Sequence, residues 1–266
     1  MKFLIIFLSE IKKQNQQNLH STSVYISLLL WPIISFVGVL YSFKPFDLNA
    51  NQLNFNAKEF IVFLLIGHLG YLVFNSLSQS AWQMSIEREF GTLEPIFLSP
   101  ANRFAIMLGR ATGALYQNIW IFVVFIISLF FVMDSMNFKT LLYLIPFIVM
   151  TFITAVIWGG LLNSIFLFAR DSSIIYLIIE DPMELFSGTR VPTEVFPKWG
   201  LFITNLYPLS YVLVLLRGWL IEGYTKNFFS TFFTMSFVLI IMISLTFLLL
   251  KRAERNYREK GNLSFF

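Results

Sequence analysis

Ile86-Glu87-Arg88-Glu89-Phe90-Gly91-Thr92-Leu93-Glu94-Pro95-Ile96-Phe97-Leu98-Ser99-Pro100 places four charges and two prolines between two long apolar runs, 60–77 and 115–132. The charges keep this stretch out of hydrocarbon, so the flanking runs are separate spans and something outside the membrane reads the connection between them. Thr92 is placed to cap a short helix that ends near Pro100, with Leu93, Ile96 and Phe97 on one face and Glu94 elsewhere. Residues 86–100 are therefore expected to form a compact amphipathic knob.

The composition fits that interpretation. With 266 residues, 57% hydrophobic and 13% charged, and a mean hydropathy of +0.71, the chain carries far more apolar surface than one soluble core of this size uses. Runs near the roughly 20-residue spanning length recur at 24–41, 60–77, 115–132, 141–168, 172–188 and 228–250, the fifth being the most polar. None shows the alternation of a barrel strand, and backbone amides in lipid must pair within their own segment. The expectation is an all-α fold: one membrane domain over 1–266 with six transmembrane helices.

Lysines and arginines set the orientation. Twelve fall on one side (Lys2, Lys12, Lys13, Arg88, Arg103, Arg110, Arg170, Lys251, Arg252, Arg255, Arg258, Lys260) and seven on the other. This bias puts both termini and the 86–100 connection in the cytoplasm of a multi-pass protein of the cell membrane. The basic tail at 251–260 is a stop-transfer anchor next to acidic lipid, and no nucleic-acid partner is expected. Near the N-terminus the apolar core is too short for a signal peptide and has no small-residue cleavage site. Phe3, Leu4, Phe7, Leu8 and Ile11 share a helical face instead, so residues 1–20 are expected to hold an amphipathic helix lying in the inner interface.

The stretch 188–222 is apolar enough for membrane depth, yet Pro192, Pro197, Gly200, Pro208 and Gly218 interrupt it. A pair of short re-entrant helices between the fifth and sixth spans fits, provided that protein buries the broken backbone.

Catalytic motifs are missing. No Gly-x-x-x-x-Gly-Lys-Ser/Thr occurs, and Gly109-Arg110-Ala111-Thr112-Gly113 lacks the lysine, so nucleotide energy must come from a partner chain. There are no cysteines and only two histidines, His20 and His68. His68, mid-span, either bonds a neighbouring helix or relays protons. The electrostatic anomaly is Glu180-Asp181-Pro182-Met183-Glu184. Each charge at the bilayer centre costs about 2.5–3.5 kcal/mol on insertion scales, so these acids must face water, partner charges or each other. Glu180 and Glu184 share a helical face, and Pro182 is where a kink is expected. Two readings stay open: Glu180, Asp181 and Glu184, with His68, line a conduction path for cations or protons, or the acids end the helix in an outer vestibule. Arg190 and Arg217 are the nearest counter-charges in sequence.

Taken together these residues resemble a known family. The stretch Glu87-Arg88-Glu89-Phe90-Gly91-Thr92-Leu93-Glu94-Pro95 with Ser99-Pro100 resembles the Glu-Arg-Glu-x-Gly-Thr-Leu-Glu motif of the membrane subunits of ABC-2 type ATP-binding-cassette exporters. Phe186-Ser187-Gly188, Pro192, Phe196-Pro197, Pro208, Tyr211 and Leu216-Arg217 resemble the landmarks of the family's fifth span and re-entrant segment. The 253–261 stretch resembles its tail. The motif is closest to drug and lipo-oligosaccharide exporters, whereas Glu180, Asp181 and Glu184 stand where the family keeps apolar residues. The resemblance implies a permease whose residues 87–95 form a coupling helix docked on a separate ATPase. It implies two ATPase copies, a second permease copy in a homodimer, and no cofactor in this chain, ATP and Mg being bound by the ATPase. The exported cargo would be drug-like, lipid-like or peptide, with the acids favouring a cation. A secondary transporter or ion channel using mid-membrane carboxylates is the rival class, and an enzyme is not supported.

Overall fold

The computed structural model describes residues 2–18, 22–43, 57–91, 101–133, 138–168, 172–221 and 227–260, and every regular element among them is helical. An N-terminal helix, α1 (Lys2–Asn18), precedes α2 (Thr22–Phe43), α3 (Ala57–Glu89), α4 (Arg103–Val132) and α5 (Phe138–Phe166). There follow α6 (Ser172–Phe186), a single 3-10 turn (Thr193–Val195), α7 (Lys198–Leu206), α8 (Pro208–Leu220) and α9 (Phe228–Lys260).

Five helices, α2 to α5 and α9, contain stretches of 18 to 30 residues apolar enough to cross a membrane. Their outward faces are apolar too, with Trp31 and Ile34 on α2 and Phe229, Phe233, Phe237 and Leu248 on α9 exposed. A hydrocarbon solvent makes such faces favourable. The fifth of the six expected spans is α6, which has 15 residues. At a rise of 1.5 Å per residue it reaches about 22 Å, short of the ~30 Å hydrocarbon core. The helix runs through Pro182 without a break and stops at Phe186, where the chain turns into the re-entrant segment.

Sequence accounts for that segment. The helices α7 and α8 meet at a bend of 96°, and Tyr207 between them is extended, with φ −93° and ψ 121°. A residue before proline is pushed out of the helical region, so Pro208 ends α7 and then takes the first turn of α8, where its missing N–H costs nothing.

At the centre is α3, with Leu64, Leu65, Ile66, Phe74 and Leu77 each at most 1% exposed. Around it pack α2, α4, α5, α6 and α8. The re-entrant chain lies against its first half, and side chains take up the carbonyls that the break releases. Arg217 of α8 donates to the carbonyls of Gly188 (2.5 Å), Phe63 (2.9 Å) and Thr189 (3.0 Å), and its guanidinium lies 3.5 Å over the Phe63 ring. Thr204 donates to Phe186 O at 2.7 Å, Ser210 to Thr204 O at 2.7 Å, Tyr211 to Asn205 O at 2.9 Å, and Tyr207 to Ile179 O at 3.2 Å. The approach to α3 depends on Gly67, where a Cβ would sit 1.8 Å from Thr189 O.

Arg217→Ala is expected to destabilise the domain by about 3 kcal/mol or more, because several carbonyls at membrane depth lose a charged donor together. Gly67→Val should fall in the same class by wedging the loop away. Thermal unfolding of the purified chain in detergent checks both, and an unchanged melting temperature for either would refute the arrangement.

Candidate functional site

Four chain segments converge at one face of the bundle, which also carries the basic ends of α4 and α9. The amphipathic helix α1 lies along the start of α4 in a notch made by Gly109 and Gly113. A Cβ on Gly109 would meet Glu10 Cβ at 2.9 Å, and one on Gly113 would meet Gln14 Cβ at 2.7 Å. Phe3, Leu4, Ile5 and Leu8 remain exposed on the opposite side of α1, as an interface helix requires.

Arg110, between the two glycines, is 1% exposed. Its Nε donates to Glu10 Oε1 at 3.1 Å and its Nη2 to Glu87 Oε2 at 2.5 Å. Lys13 Nζ lies 3.7 Å from Glu10 and 3.8 Å from Glu87, so two acids and two bases balance. Arg103 and Glu254, 3.8 Å apart, tie the start of α4 to the end of α9. The guanidinium thus holds the interface helix, the last turn of α3 and the first turns of α4 at one point.

The expected coupling residues begin there. Glu87, Arg88 and Glu89 finish α3 and precede any knob, and Glu87 is turned inward onto Arg110. Phe90 N donates to Ile86 O at 3.0 Å, and the Phe90 side chain is 78% exposed. Gly91 has φ +70° with no heavy atom within 4 Å of a built Cβ, so its requirement is the left-handed backbone itself. Thr92, Leu93, Glu94 and Pro95, and the whole of 92–100, lie outside the described residues. The chain resumes before α4, where the Asn102 side chain accepts from Ala105 N at 3.2 Å and caps the helix.

The mid-membrane acids part company. Glu180 points into the seam between α6 and α3 and is 2% exposed, Asp181 is exposed, and Glu184 pairs with Arg190. His68 is bonded through Nε2 to Ser35 Oγ of α2 at 2.8 Å, with the Phe36 ring tilted 34° to it at 6.0 Å. Among the described residues, no hydrogen bond or ion pair joins any two of these four. Arg190 supplies the counter-charge expected of it, whereas Arg217 serves backbone carbonyls.

Around Glu180 are residues that the sequence did not single out. Asn75 Nδ2 donates to Glu180 Oε1 at 2.8 Å and faces the hydroxyls of Tyr176 at 3.0 Å and Tyr71 at 3.3 Å. Gln79 fixes the amide's orientation by donating to Asn75 Oδ1 at 2.8 Å. Trp82 lies 5.7 Å from Tyr176, ring to ring. One signal was available: Tyr71, Asn75 and Gln79 follow each other at spacing four along one span, as do Tyr176 and Glu180 along another.

Comparison with known proteins agrees with this architecture. A family model described as ABC-2 type transporter matches residues 7–221. A protein of Cyanophora paradoxa named "Putative transport permease ycf38" is 26% identical over 236 residues, covering 84% of this chain and 79% of that protein.

Arg110→Met is expected to cost about 3–5 kcal/mol, since it leaves Glu10 and Glu87 as partly buried neighbours with only Lys13 to compensate them. Adding Glu10→Gln and Glu87→Gln should recover part of the loss. Unfolding in detergent measures the energies, and hydrogen exchange over 2–18 should rise in the single variant. Native protection of α1 in Arg110→Met would refute the clamp.

Proposed function

The chain belongs to the ABC-2 type transporter family, and on that premise we propose that it is the transmembrane subunit of an ATP-driven exporter whose ATP is hydrolysed by a separate chain. The observation that carries this reading is the exit of the chain from α3: a large aromatic side chain, Phe90, stands exposed just beyond the Arg110 clamp, followed by a glycine in the left-handed region. An exposed aromatic anchor on a short connection is the kind of group a protein partner buries. Two ATPase copies, each holding ATP and Mg, would dock on residues 87–95 of two permease copies in a homodimer. This chain would bind no cofactor of its own.

In this scheme the basic face with both termini is cytoplasmic and the membrane is the cell membrane, consistent with the Lys and Arg bias. Closure of the ATPases pushes on 90–98. Because Glu87 at the end of α3 and the first turns of α4 share Arg110 with α1, the push reaches two spans and the interface helix as one unit. The path between copies opens outward, and Glu180, Asp181, Glu184 and His68 belong to its walls. The cargo is drug-like, lipid-like or peptide, and cationic. A second reading, a secondary transporter or channel, is favoured by one observation: among the described residues Glu180 meets neutral partners, Asn75 and Ser78, and no cation.

Co-purification with an ATPase separates the two. The permease is expected to hold its ATPase through detergent extraction, and Phe90→Ala should weaken that complex about tenfold or more, as loss of an aromatic anchor does. Gly91→Pro and Glu94→Lys should lower transport-coupled ATP hydrolysis. A permease that transports without any ATPase, or whose ATPase tolerates all three changes, would overturn the exporter reading.

A further inference from the structure

The seam between α3 and α6 holds a buried carboxyl group, and among the described residues no cation pairs with it. Asn75 Nδ2 donates to Glu180 Oε1 and the Ser78 hydroxyl lies beside the carboxyl, while Oε2 is buried without a hydrogen bond of good geometry, and the charged neighbours, Asp181 and Glu184, are acids. A buried carboxylate in this position is stable only when a positive charge or strong donors reach it.

The surroundings specify what could. Three oxygens, Glu180 Oε1, Tyr176 Oη and Tyr71 Oη, converge within 3.3 Å of one nitrogen, Asn75 Nδ2, which has only two hydrogens. Such a cluster suits a group with three N–H donors and a positive charge. Above it, Trp82, 40% exposed, and Gln79, also exposed, form the edge of the seam, with the Trp82 ring tilted 32° to that of Tyr176. Aromatic faces beside a carboxylate attract an ammonium and also cover an apolar body. A proton would neutralise Glu180 but would use neither the rings nor the convergent oxygens.

We propose that Glu180, Asn75, Tyr176, Tyr71 and Trp82 form a recognition subsite for a primary ammonium group carried on an apolar body, entered past Trp82 and Gln79 when α6 moves away from α3. The proposal rests on reading this domain as a translocation path and narrows its cargo to amphipathic amines. Glu180 takes the charge, the tyrosine hydroxyls take N–H donors in place of Asn75 Nδ2, and Trp82 covers the first carbons.

The test is equilibrium binding of tritiated octylammonium to the full chain in phosphatidylcholine nanodiscs, with empty nanodiscs subtracted. Binding is expected to be saturable, displaced by unlabelled octylammonium and not by octanol or octanoate. Glu180→Gln should weaken it about tenfold or more, as loss of a charge-assisted contact does, with Glu180→Asp retaining part of the affinity. Trp82→Leu and Tyr176→Phe, which leave the carboxylate in place, should each weaken it several-fold and serve if Glu180→Gln does not fold. No saturable binding, equal displacement by octanol, or native affinity in the folded variants would overturn the subsite. Absence of binding from a permease that still couples to its ATPase would defeat this proposal alone, and binding by a permease that holds no ATPase would defeat only the exporter reading.

Discussion

A backbone carbonyl without a partner in hydrocarbon costs several kcal/mol, and the arrangement of this chain follows from how that cost is met. In α2 to α5 and α9 the helix itself meets it. Between Phe186 and Pro208 it cannot, and the released carbonyls go to Arg217, Thr204, Ser210 and Tyr211. That repair fixes where the segment lies. Arg217 also takes Phe63 O of α3, so the loop after α6 and the whole of α8 are held to the central helix, and α6 is held with them. The seam containing Glu180 is a product of this constraint.

Charge is handled in two different ways at the two ends of that frame. At the basic face, Arg110 and Lys13 meet Glu10 and Glu87, and the balance of two against two makes a nearly buried guanidinium tolerable. In the seam, Glu180 meets an amide and a tyrosine-lined wall. The first arrangement is complete as it stands and suits a joint that transmits force. The second is incomplete, which suits a surface whose partner comes and goes.

Much of the fold was legible in the sequence because it depends on local chemistry. Apolar runs of spanning length, the face formed by Phe3, Leu4 and Leu8, and the Pro208 break each act within a turn or two of themselves, and each is found where expected. Contacts across the chain were not legible. Nothing in the sequence pairs Arg110 with Glu10, a hundred residues away, or assigns Glu87 to the end of α3. The shared face of Glu180 and Glu184 was a sound helical inference, but it did not determine the neighbours: one residue meets α3 and the other Arg190. The run 172–188 matches α6 to within two residues, and the helix ends where the loop that Arg217 gathers begins.

The hundred residues between Glu10 and Arg110 also bear on biogenesis. Synthesis at about 5–20 residues per second delivers Arg110 roughly 5–20 s after Glu10. Until then the notch of Gly109 and Gly113 does not exist, and α1 waits on the bilayer surface by its exposed Phe3, Leu4, Ile5 and Leu8. Glu87 also leaves the ribosome before its partner. Arg110 is therefore the last of the three to arrive, and its insertion with the correct orientation is the event that locks the start of the chain into place. The buried ion cluster thus ties the docking of α1 to the placement of α4: with α4 the wrong way round, Glu10 and Glu87 lose their shared guanidinium.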